Sequence, residues 1–253
     1  MKLIATKIEH GFGPAPLLRG IDLELHPGEA VAIVGPNGVG KTTLIRLIAG
    51  LLTIQRGEVL LDDTPLGDLT RRRIARQIAI VPQARHQVFD FSAIELVLMG
   101  FHARSARFSL PSSAQEEAAA RAMDRLAIAD LKHRPASVLS GGELQRVLMA
   151  RAMVSLAPIW LLDEPTSNLD LKHQLALLDM VREHCDTGGS ALAVLHDLPT
   201  VHRFFDRVLV LHEGRIAAQG APDDVLTPEV VSEVFETPMI RGMVDGRVVW
   251  VGA

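Results

Sequence analysis

Three short stretches of the chain hold residue types whose spacing can do chemistry. The first is Gly35-Pro36-Asn37-Gly38-Val39-Gly40-Lys41-Thr42-Thr43, which fits the pattern G-x-x-x-x-G-K-[ST]. Glycines at such positions let successive backbone N–H groups turn inward around a polyphosphate. A helix starting at the same place adds its partial positive charge. In that frame Lys41 reaches the β- and γ-phosphates, the Thr42 hydroxyl ligates Mg²⁺ and Thr43 bonds a phosphate oxygen. The second stretch, Ile159-Trp160-Leu161-Leu162-Asp163-Glu164-Pro165, is an apolar run ending in two acids. A parallel strand of this kind delivers both carboxylates to the sheet edge where ligands bind. Asp163 then belongs to the Mg²⁺ shell through water. Glu164 sits where a water attacks the γ-phosphate, as general base or orienting group. The third stretch, Leu139-Ser140-Gly141-Gly142-Glu143, has the residues either of a second anion site or of a capped, Gly-rich helix start. Taken alone it favours the capped helix.

Each stretch needs an element to hold it. Residues 30–34 form a short apolar run bounded by Pro27-Gly28 and Gly35, as a buried strand does, and residues 42–49 read as a helix stopped by Gly50. The first motif therefore lies between a strand and a helix, which argues against an inert Gly-rich turn. Residues 57–61, 78–81, 159–162, 191–195 and 207–211 repeat the strand pattern and read as one sheet. Residues 93–100, 113–129 and 143–154 read as helices, the second capped by Ser113 with Glu116 three positions on. Residues 102–111 lack periodicity and read as a loop, and Asp245-Gly246 suits the turn of a small hairpin over 239–251. Strands and helices in alternation give an α/β class with a helical insertion at about 85–156.

Composition narrows the classes further. A chain of 253 residues buries enough surface to fold without a staple, and its net charge of −4 disfavours a generic nucleic-acid binder. Cys185 is the only cysteine, so no intrachain disulfide forms, which suits a reducing compartment. The longest strongly apolar run, residues 152–162, falls well short of the roughly 20 residues that cross a bilayer. Broken by Lys7, Glu9 and His10, the first residues are no signal-peptide core. The histidines at 102, 133, 173, 184, 202 and 212 show no metal-ligand spacing and read as scattered surface residues.

With these motifs in this order, the sequence resembles the ATP-binding cassette family, the ATPase subunits of ABC transporters. The resemblance runs from about Lys2 to Phe235. It implies a P-loop NTPase core, a mainly parallel sheet with helices on both faces and an N-terminal antiparallel β part. One ATPase domain would span 1–236, with its core at about 1–84 and 157–225, followed by a tail over 237–253. ATP and Mg²⁺ are the implied ligands. Residues 139–143 look like the family's signature motif, with Glu143 where Gln is commonest. Gln83, after Val81-Pro82, matches the glutamine that senses Mg²⁺ and the attacking water. Residues 167–170 look like the loop joining two subunits' sites, and His196, before Asp197, matches the histidine that contacts the γ-phosphate. Phe12 stands where an aromatic stacks on adenine; packing at the antiparallel edge is the other reading.

The family also gives the second anion site a purpose. Two cassettes pack head to tail, so Ser140, Gly141 and Gly142 would serve the partner copy's ATP. A single cassette without a membrane domain resembles the detached ATPase of a bacterial importer. It would work on the cytoplasmic face of the inner membrane, with integral permease subunits and, indirectly, a periplasmic or lipid-anchored substrate-binding protein, but no nucleic acid. The runs at 89–100, 166–174, 195–198 and 227–231 look like importers of iron–siderophore complexes, haem or cobalamin. Zinc, manganese and molybdate importers are the alternatives, and Gly100-Phe101 stands where chelate importers often have Gly-Arg. Residues 85–104 would form the groove for a permease helix, with Phe89, Phe91 and Met99 either as contacts or, for Met99, as core. A soluble ABC protein acting on DNA or ribosomes would need a second cassette or a coiled-coil insertion. A P-loop kinase or GTPase would lack residues 139–143, and Lys41, Asp163, Glu164 and His196 argue against a degenerate subunit.

Overall fold

The computed structural model describes residues 1–13, 15–83, 91–106 and 109–252. In chain order the elements begin with β1 (Leu3–His10), β2 (Leu18–Leu25), β3 (Ala30–Val34), α1 (Lys41–Ile48), β4 (Arg56–Leu61) and β5 (Thr64–Pro65). Next come α2 (Arg71–Gln77), β6 (Ile78–Val81), α3 (Ala93–Leu98), a 3₁₀ turn at Met99–Phe101, α4 (Ser113–Arg125) and α5 (Gly141–Val154). Then follow β7 (Ile159–Asp163), α6 (Leu171–Asp186), β8 (Ser190–Val194), α7 (Leu198–Phe204), β9 (Arg207–His212) and β10 (Arg215–Gly220). The chain ends with α8 (Pro222–Val225), α9 (Pro228–Val234), β11 (Met239–Val244) and β12 (Arg247–Gly252).

The six-stranded sheet runs β10-β9-β3-β8-β7-β6, parallel throughout except for the β9–β10 edge. Every residue of β3, β7 and β8 is buried, because both faces of this sheet are covered. Alternation along β3 shows what covers them. Ala30, Ala32 and Val34 join the apolar core shared with the helices, from α3 to α7, while Val31 and Ile33 join a second core with α1, β1, β2 and β4. That second layer is a four-stranded antiparallel sheet, β2-β1-β4-β5. The fold is thus mixed α/β, three layers deep, with the parallel sheet in the middle.

Three expectations change. Residues 57–61 do not join the parallel sheet: β4 pairs antiparallel with β1, in register Leu3↔Leu61. The cap of α4 is Ser112, whose side chain accepts from Gln115 N while Gln115 Oε1 accepts from Ser112 N. A serine at 113 with Glu116 offers the same pattern one residue later, and helix α4 ends at Arg125 rather than near 129. Nor are all the histidines on the surface. His184 stacks on Trp160 with ring centroids 3.8 Å apart, and the His202 side chain is only 6% exposed. The hairpin around Asp245-Gly246 is present as β11–β12.

Candidate functional site

The carboxyl edge of the parallel sheet gathers the candidate residues. At the end of β3 the chain turns through Gly35, Gly38 and Gly40, all with positive φ, directly into α1. Such backbone favours glycine, and at Gly40 a Cβ would also sit 2.7 Å from Leu18 Cδ2, so the loop packs on β2. No side chain caps α1, which leaves its N-terminus open toward the loop, as an anion site requires. Lys41 is buried, and its Nζ donates to the carbonyls of Gly35 and Pro36, each at 2.7 Å. Burial pushes its ammonium below the usual lysine range, and the carboxylates of Glu164 and Asp163 pull the other way. Asn37 and Gly38 are exposed at the loop's tip.

The acidic pair reaches the loop from β7. Thr42 Oγ1 donates to Asp163 Oδ1 at 2.9 Å, and Asp163 is 5% exposed. A hydroxyl and a carboxylate meeting at a phosphate-binding loop are hard oxygen donors, and this pair fits Mg²⁺. Glu164 departs from the strand with φ +51, a left-handed conformation that a glutamate adopts only under constraint. That break frees Asp163 and Glu164 from opposite-face alternation. Glu164 Oε2 accepts from Gln83 Nε2 at 2.7 Å, and its Oε1 lies 2.9 Å from His196 Nε2. Gln83 follows β6 and His196 follows β8, so three neighbouring strand ends converge on one carboxylate.

Ser140 caps α5. Its Oγ accepts from Glu143 N at 3.3 Å, and Glu143 Oε2 accepts from Ser140 N at 2.7 Å. Those hydrogen bonds, with Arg134 beside it, hold the Glu143 carboxyl below its usual range. In one chain, therefore, this stretch is a capped helix start. It also meets residues 167–170: a Cβ on Gly142 would lie 2.5 Å from Asn168 O and one on Gly141 3.3 Å from Asn168 Cγ. Spacing alone does not reveal that contact, nor the left-handed backbone of Asn168, φ +63. Phe12 is 74% exposed and meets the His10 ring edge-on, so most of its surface faces solvent rather than the sheet edge. Met99 packs against the helical core and Phe91 is 40% exposed, whereas Phe89, with residues 85–90 of the permease groove expected at 85–104, lies outside the described residues.

The ABC transporter family model matches residues 18–167, from β2 through the acidic pair. The chain belongs to the ABC transporter family. Across 242 residues it is 40% identical to the hemin import ATP-binding protein HmuV of Bradyrhizobium diazoefficiens, covering 92% of this chain and 88% of that one. It is 42% identical to the HmuV of Myxococcus xanthus over 93% and 90% of the two chains. The cobalamin import ATP-binding protein BtuD of Halobacterium salinarum is 37% identical over 96% of this chain and 61% of its own. Among solved structures, an inward-facing ABC transporter assigned to the metal-chelate type superposes with a TM-score of 0.83 at 26% identity, over 99% and 97% of the two chains. The chain is accordingly an ABC ATPase, an ATP-binding subunit of the importer kind, with the P-loop NTPase fold. Among the described residues no helix is long and apolar enough to cross a membrane.

Proposed function

We propose that this ABC ATPase energises uptake of an iron chelate, haem or cobalamin, working as a head-to-tail dimer that closes on two ATP. The observation that carries the hydrolytic part is the suspension of Glu164 between Gln83 and His196, at 2.7 and 2.9 Å. A carboxylate with both oxygens engaged is oriented before substrate arrives, which is what an in-line attack by water requires. In this reading Glu164 takes the water's proton or aims its lone pair at the γ-phosphate. His196 contacts the γ-phosphate, and Gln83 senses whether water and metal are in place. The backbone of Gly35, Asn37, Gly38 and Gly40 cradles the phosphates, with Lys41 on the β- and γ-oxygens and Thr43 on one more. Thr42 and Asp163, with Gln83, would hold Mg²⁺, which when bound would neutralise negative charge on the phosphates. Phe12 stacks on adenine.

Ser140, Gly141 and Gly142 complete the partner copy's site in this arrangement. Ser140 is exposed, and while its Oγ accepts a long hydrogen bond from Glu143 N its O–H can turn to donate to a phosphate oxygen. The γ-phosphate would be the contact that differs between open and closed dimers, and its loss on hydrolysis lets the dimer loosen. The helices between β6 and β7 form the inserted subdomain, placed on the cytoplasmic face of the inner membrane against a permease. The importer cargo rests on the HmuV and BtuD relatives, at 36–42% identity.

The test is to purify the chain with its membrane partner and record ATPase rate while titrating ligands with the cognate binding protein. Stimulation by a ferric siderophore, haem or cobalamin is expected. Stimulation only by free zinc, manganese or molybdate would overturn the cargo, and turnover that follows nucleic acid or ribosomes would overturn transport.

A further inference from the structure

The turn that carries Phe12 is held by a residue outside every motif named above. Gln55 lies in the loop between α1 and β4. Its side-chain Nε2 donates to Gly11 O at 3.0 Å, and its Oε1 accepts from Gly11 N at 2.9 Å. One carboxamide thus makes both hydrogen bonds to a single residue's backbone, as a strand neighbour does. The β1–β4 ladder has Glu9↔Arg56 as its last pair, so the Gln55 side chain adds a rung where the backbone ladder stops. From the other side Leu17 N donates to His10 O at 2.8 Å, closing the turn. Only glycine fits at 11, because a Cβ there would lie 2.8 Å from Ala15 O.

The same turn fixes an aromatic ring. His10 is buried, and its ring stands edge-on to Phe12 at 5.0 Å between centroids and 82° between planes. Among the described residues neither His10 ring nitrogen has a hydrogen-bond partner, and the ring's edge-on neighbour is Phe12. Phe12 therefore stands out into solvent on a backbone clamped from both sides. The clamp also touches the phosphate loop's support, since Leu17 and Leu18, which close the turn, are the residues that Gly40 packs against. The ring's turn and the phosphate loop thus meet at these two leucines, while both Gln55 hydrogen bonds go to Gly11.

We infer that Gln55 is a positioning residue for the base of the nucleotide: by clasping Gly11 it presets the Phe12 ring for a purine stacked on it. The inference rests on the proposal that Phe12 stacks on adenine. A preset ring loses less freedom on binding, so the clasp acts on affinity for the base and leaves the phosphates untouched.

The experiment measures binding of Mg·ADP and Mg·pyrophosphate to the full chain by calorimetry. It compares the wild type, Phe12→Ala, Gln55→Ala and the double variant, with Gln55→Met as a version that keeps side-chain volume. Phe12→Ala is expected to weaken ADP about tenfold and leave pyrophosphate unchanged, the scale of one lost base–aromatic stack. Gln55→Ala and Gln55→Met are expected to weaken ADP about threefold or more, again sparing pyrophosphate. In the double variant Gln55→Ala should add nothing to Phe12→Ala, because the clasp acts only through the ring. If Phe12→Ala leaves ADP binding unchanged, the stacking reading fails. If Phe12→Ala has its effect but the Gln55 variants have none, or add fully to it, stacking stands and the positioning role is overturned. Equal losses for ADP and pyrophosphate in the Gln55 variants would make Gln55 a plain structural residue and also overturn it.

Discussion

Gly100→Ala should destabilise the fold by an amount the structure sets. Gly100 sits in the 3₁₀ turn after α3, pressed against α5. A Cβ there would lie 2.6 Å from Val154 Cγ2 and closer still to the carbonyl oxygen of Arg151, below the roughly 3.0 Å that real Cβ contacts respect. The carbonyl cannot yield by rotating a side chain, since it belongs to the helix backbone. Nor is α5 free to slide, because the half-buried Arg151 guanidinium donates to Ile80 O on β6. Overpacking of this kind costs about 1–3 kcal/mol. The φ of Gly100 is an ordinary one, so alanine also returns about 0.5–1 kcal/mol of lost backbone entropy. The difference spans about 0–2.5 kcal/mol. Because the clash is with helix backbone that cannot yield, the expectation is its upper part, about 1–2.5 kcal/mol, or a melting point lowered by about 2–10 °C for a chain of this size. Thermal melts followed by circular dichroism measure it directly. An unchanged or raised melting point would refute the reasoning, since it would mean that α5 and the turn separate at no cost.

The cap assignment makes a paired test. Ser112→Ala should cost about 1 kcal/mol in urea unfolding and Ser113→Ala only a few tenths, and the reverse order would restore Ser113 as the cap. Cys185 is buried and its thiol is pushed up to about 12 from 9.0, mainly by desolvation, so the neutral form is the one the fold prefers. At pH 8 its thiolate fraction should be about a thousandfold below that of an unfolded chain, and alkylation of the native protein should be slower by at least that factor. Equal labelling rates before and after denaturation would show that the thiol is open to solvent.

How much of this was legible depends on whether the signal was local. The runs at 30–34, 159–162 and 191–195 could be read as buried strands because both faces of the central sheet are covered, leaving no polar interruption. The phosphate loop was legible because strand, loop and helix are contiguous. Strand pairing was not: nothing in residues 57–61 says that their partner is β1, 50 and more residues upstream, rather than the parallel sheet. The shift of the α4 cap by one residue has a similar origin, since Ser112 with Gln115 and Ser113 with Glu116 satisfy the same rule. His184 and His202 looked like surface residues because a lone histidine has no pattern to betray its burial. Among the chemical residues, types and order were visible in sequence, whereas the convergence of Gln83 and His196 on Glu164 spans 81 and 32 residues and exists only in the fold.

The central claim is that Glu164, oriented by Gln83 and His196, drives hydrolysis without being needed to bind ATP. It is tested most directly by Glu164→Gln, which keeps the side chain's size and removes its charge. Phosphate release and ATP binding are measured together on the chain with its co-purified membrane partner. The account predicts a fall in turnover of about 10²–10⁴-fold, the range for losing a general base, with ATP affinity retained. Turnover near the unaltered rate, or loss of ATP binding in step with turnover, would contradict it.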